Sequence, residues 1–186
     1  VEQTSGVEVD FLHPSPHCGL KLTDVRIPNA NRLGPLGGAF NAISLPMRRV
    51  EDALGAAKTA GAMRHRFNLL CKAAAKRKVT EEIEVTLGLL STMPEAHSAM
   101  AWRAAELLDS GREDTEETLM DLAAAARQTG NYIEGKVEAF INAWDIEVSD
   151  ALAIANRDLV KSQGIAGYAR YLQARKRGQA LLSTIV

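Results

Sequence analysis

The amino-acid sequence predicts a mainly α-helical protein, an antiparallel bundle of the four-helix type preceded by a short β-rich segment. Three observations carry this. The apolar period changes near residue 45 from two residues to between three and four. Alanine is abundant while aromatic residues make up only 5% of the chain, which suits closely packed helices better than sheets. Pro14, Pro16, Pro28, Pro35 and Pro46 leave only Pro94 to interrupt the rest. Two regions follow: residues 1–44, the end of a β-structure with a linker, and residues 45–186, the helical domain.

Two alternating stretches in the first region, Val7–Phe11 and Leu20–Ile27, read as β-strands of period two, the second ended by Pro28. Two strands make no stable sheet alone, so they are expected to close a larger β-structure that begins upstream. Ser44 is placed to cap the first helix, with Pro46 in its opening turn. Val50, Ala53, Leu54, Ala57, Ala60, Gly61, Phe67, Leu70, Cys71 and Ala74 then form one stripe. Thr80 caps a second helix, with Glu81 and Glu82 at the positive end of its dipole. Ile83, Leu87, Leu90, Met100, Ala104 and Leu108 give its apolar face, Pro94 kinks or splits it, and Ser110-Gly111 stops it. A third helix opens at Asp114-Thr115-Glu116-Glu117 and runs to Trp144, weakened at Gly130. A fourth begins after Ser149 and breaks at Gly164, and a last amphipathic piece covers about Tyr168 to Leu182.

Composition narrows the function. Lys and Arg number 22 against 23 Asp and Glu, so no overall field draws the chain to nucleic acid or an anionic membrane. No apolar run approaches the roughly 20 residues of a membrane span, and the first residues lack the pattern of a signal peptide. Cys18 and Cys71 stand in unrelated contexts, which predicts reduced thiols and a cytoplasmic location. The histidines have no metal-ligand spacing, and no P-loop, nucleophile elbow or dinucleotide-binding glycine pattern is present. Arg64-His65-Arg66 reads as a solvated helix face, and Trp102 and Trp144 as core or interface residues. Lys72, Lys76, Arg77 and Lys78 cluster at a helix C-terminus, where cations are favoured and where phosphate groups could be met.

Four stretches, in order, resemble the second half of an acyl-CoA dehydrogenase. Leu22-Thr23-Asp24-Val25-Arg26-Ile27-Pro28, continuing to Leu33-Gly34, resembles the segment that closes that family's middle β-domain. The helix from Arg49 to Arg77 resembles the first long helix of its C-terminal domain. Ala104-Ala105 through Asp109-Ser110-Gly111 resembles a helix end there, and Gly164-Ile165-Ala166-Gly167-Tyr168 resembles its glycine-rich turn. Ile165 stands where the family has a second glycine, and Lys78-Val79 where it has the Phe-Gly pair after the arginine.

The resemblance implies an FAD-dependent oxidation of an acyl-CoA thioester. A carboxylate takes the proton beside the thioester, the flavin takes a hydride from the β-carbon, and electron-transfer flavoprotein is the acceptor. It assigns Glu51 as the base, and Arg77, Gly164 and Gly167 to the cofactor, with no metal. A base in such a place needs a dry pocket that raises its pKa. The resemblance further implies homo- or hetero-oligomers, dimers or tetramers, formed through the helical domain. A second reading is a degenerate, non-catalytic subunit or interaction module assembling with an active partner. A third is nucleic-acid binding through the basic helix end.

Overall fold

A computed structural model describes residues 1–6, 9–11, 13, 17–112, 115–165 and 167–183. Helix α1 spans Leu45–Ala74, a 30-residue rod about 45 Å long. Ser44 does not cap it: its backbone is already helical and its side chain makes no cap bond, because the π-helical turn Phe40–Ser44 leads straight in. Thr80 does cap α2 (Glu81–Ser91), its hydroxyl accepting the Ile83 N–H at 3.4 Å. Pro94 splits the predicted second helix. Helix α3 (Met93–Asp109) starts one residue after the break, with the proline in its first turn, where a missing N–H costs nothing.

Helix α4 (Glu116–Ala143) runs unbroken through Gly130, whose missing Cβ leaves room for the Gln163 side chain. Asp114, read as part of its opening, lies outside the described residues. Ser149 caps α5 (Asp150–Gly164) by accepting the Leu152 N–H at 3.4 Å, and α6 (Gly167–Ser183) follows.

α3 packs along α1 more extensively than any other pair of elements meets, and α4 and α5 also pack on α1. The larger core joins Met63, Leu70, Ile83, Leu90, Val137, Phe140, Leu152 and Leu159, and a smaller one joins Ala53, Ala104, Leu107 and Leu119. Alanines at Ala53, Ala60, Ala101, Ala104, Ala123 and Ala126 are buried where the helices cross, and small side chains let the axes come close. α6 is different: none of its described side chains is buried.

The β-region is smaller than the sequence predicts. Strand β1 (Glu2–Gln3) pairs antiparallel with β2 (Leu20–Lys21), Glu2 opposite Lys21. Val7 and Glu8 lie outside the described residues, and Val9–Phe11 is not a strand. The stretch to Ile27 leaves the extended conformation at Asp24, whose φ is +50°. Leu20, Leu22 and Ile27 are each more than 60% exposed. An alternating strand is held by an apolar face to cover, and no such face meets this one.

Candidate functional site

A cleft of about 1040 Å³ opens between α6 and the body formed by α1, α3 and α4. Its roof is one face of α6, with Gly167, Arg170, Ala174, Arg177 and Gly178 at helical spacing. Its floor includes Arg48, Arg49, Asp52 and Ala53 from α1, and Glu116, Asp121 and Arg127 from α4.

Among the described residues, its charged lining holds five arginines against three carboxylates. Two of the arginines are matched: Arg49 donates to Glu116 at 2.6 Å, and Arg177 pairs with Asp121 and with Glu117 at 3.7 Å. Among the described residues, the other three have one carboxylate near them. Asp52 stands 3.9 Å from Arg48 and 3.6 Å from Arg127, and Arg170 feels Arg127, Asp52 and Arg48 together. Arg170 donates to the Gln163 backbone carbonyl. Burial first, then the Arg127 and Arg48 charges, push its guanidinium below the ordinary arginine value, while Asp52 pulls it up.

The residues singled out by sequence fall in three places. Gly164 and Gly167 line this cleft. Glu51 does not: it is exposed, on the side of α1 that carries Met47, Val50 and Leu54. At about 100° per residue, that stripe lies nearly opposite Arg48, Asp52 and Ala56, which face the cleft. Arg77 sits roughly 40 Å from Glu51, past the other end of α1, where it pairs with Asp145 at 3.2 Å. Lys76 likewise reaches Glu147 at 3.8 Å, so the α4–α5 loop partly neutralises the basic cluster.

A Cβ added at Gly164 or Gly167 would meet nothing within 4 Å, so neither glycine is required by its protein neighbours. Arg77 is on a different part of the molecule.

Sequence reasoning missed the buried polar groups. Arg66, read as a solvated residue, is 2% exposed and pairs with Glu134 of α4. Its place on the buried stripe between Met63 and Leu70 was the available signal. Burial pushes the Glu134 carboxyl up while Arg66 pulls it down, and its Oε1 has no partner. His97 is fully buried on α3, and neither ring nitrogen makes a hydrogen bond of ordinary geometry, the nearest partner being the Ala126 backbone. Burial pushes its pKa below 6.5, only partly offset by the Ala126 backbone. Trp102 is 73% exposed, whereas Trp144 packs on Phe140 with ring centroids 4.9 Å apart.

Both cysteines are free, and burial pushes the Cys71 thiol up, away from the reactive thiolate. Among the described residues no cluster of His, Cys, Asp and Glu could hold a metal, and no helix is long and apolar enough to cross a membrane. No protein-family model, curated protein or solved structure matches this chain.

Proposed function

We propose that the chain is a helical module of the acyl-CoA dehydrogenase type, an antiparallel four-helix-type bundle supplying one wall of a site that another domain or subunit completes. One observation carries this. Met47, Val50, Glu51 and Leu54 form a single exposed stripe on α1, with Met47 56%, Val50 47% and Leu54 64% exposed. Apolar side chains in such a row are costly in water and favour being covered. A carboxylate among them would then be desolvated, the condition under which its pKa rises toward that of a useful base. In this reading Glu51 takes the proton next to the thioester of an acyl-CoA, and the covering part supplies most of the cofactor site. FAD and electron-transfer flavoprotein belong to that assembly, and the isolated chain is catalytically silent.

A second reading, the non-catalytic subunit, is favoured by Arg77. The guanidinium that the resemblance assigns to FAD is already paired with Asp145.

The two are separated in the assembled protein by exchange of the acyl-CoA α-proton into deuterated water. Glu51→Gln is expected to abolish exchange and leave the helical circular dichroism unchanged. Exchange at the unaltered rate would remove Glu51 from the chemistry and leave the structural role. The chain purified alone is expected to be colourless, and a stoichiometric yellow preparation would contradict the division of the site.

A further inference from the structure

The cleft beneath α6 lies on the far side of α1 from Glu51, and its arginines have no role in the proton transfer proposed above. Its charges are unevenly matched. Arg49 and Arg177 have carboxylate partners at the cleft wall. Among the described residues, Arg48 and Arg127 are left around Asp52, with Arg170 in the electrostatic reach of all three, so the described groups of this corner carry two more positive charges than negative. Guanidinium groups near one another repel, and solvent screens the repulsion only in part: the Arg127 side chain is 27% exposed, Asp52 33% and Arg48 47%. An arrangement of this kind is stabilised by an anion of matching charge.

The residue type narrows the anion. Arginine presents a planar fork of donors that meets phosphate oxygens in pairs. The three forks come from separate elements: Arg48 from α1, Arg127 from α4 and Arg170 from α6. An anion among them would tie α6 to the body beside the Arg177 pairs with Asp121 and Glu117, on a helix none of whose described side chains is buried. The cleft, at about 1040 Å³, is also larger than a bare phosphate requires.

We propose that Arg48, Arg127 and Arg170, gathered around the carboxylate of Asp52 under α6, bind a phosphate group carrying two negative charges. The group is a free phosphate or the phosphate of a monoester whose organic part occupies the remaining cleft. The site needs no flavin and no contribution from Glu51, so its failure and that of the proposed function are independent.

Calorimetric titration of the whole chain with inorganic phosphate and with phenyl phosphate tests this. Binding is expected to weaken with added salt. Arg170→Gln is expected to lower affinity at least about tenfold, while Lys76→Gln, at the other end of α1, leaves it unchanged. Asp52→Asn is expected to tighten binding, because it removes the carboxylate that competes with the ligand. A merely structural ion-pair role for Asp52 gives no such gain. Tighter binding of phenyl phosphate identifies an ester as the ligand, and equal binding identifies free phosphate. Arg127→Gln gives the same readout should the Arg170 variant fail to fold. Absence of binding at millimolar probe, or undiminished binding by both arginine variants, overturns the site.

Discussion

Arg66 and Glu134 show what burying charge costs and what it fixes. A guanidinium at 2% exposure survives only with its charge matched. Glu134→Gln strands that charge, and chemical denaturation is expected to show a loss of about 3 kcal/mol. Replacing both partners, Arg66→Met with Glu134→Leu, is expected to recover most of it, since an apolar pair avoids both desolvation penalties. His97 acts through pH. Its folded pKa lies below 6.5, chiefly through burial, so the unfolded chain takes up a proton that the folded one refuses. The stability it allows is complete above pH 6.5 and is lost as pH falls below that value. Glu134 works in the opposite sense: its raised pKa makes the folded state the better proton acceptor as pH falls. The histidine effect is therefore read as the difference between wild type and His97→Leu. Denaturation midpoints are expected to drop less steeply for the variant between pH 6.5 and the carboxylate range. Midpoints falling in parallel would place the sensitivity elsewhere.

At the scale of elements, α3 and α4 end where the backbone turns left-handed. Gly111 follows α3 with φ +62°, and its N–H bonds the Leu108 carbonyl at 3.3 Å. Asp145 follows α4 in the same conformation, with φ +47°. The next residue, Ile146, bonds back to the Ile141 carbonyl at 3.0 Å and is buried, which makes a Schellman ending without glycine. Gly111→Ala is expected to destabilise by about 1 kcal/mol, because only glycine takes that conformation without strain. Asp145→Gly is expected to do the reverse and raise the melting temperature slightly, despite losing the exposed pair to Arg77, which contributes little. A fall in melting temperature would mean that this pair, rather than the backbone, decides the corner. Ser44 and Thr80 make a related contrast. Both are good cap residues, but only Thr80 has the extended backbone a cap needs.

For the whole molecule, stability is expected to be uneven. α1 is packed by α3, α4 and α5, whereas α6 spans the cleft with no described side chain buried. Elements with few buried contacts open first. Hydrogen exchange should find the α6 amides least protected among the helices and those around Leu70 and Phe140 most protected. Equal protection of α6 would mean that its contacts across the cleft are stronger than its exposure indicates.

Local chemistry decided much of this protein in advance. The change of period near residue 45, the cap at Thr80, the start after Ser149, the break at Pro94 and the stop at Gly111 are each set by a residue and its immediate neighbours. Those were legible because a helix is built from contacts three and four residues apart. Burial of Arg66 and His97, the division of Glu51 from the cleft, and the meeting of Arg48, Arg127 and Arg170 are not local. They depend on which face of α1 the other helices cover, and that is settled only when the rods pack and the charges on separate elements come within reach of one another.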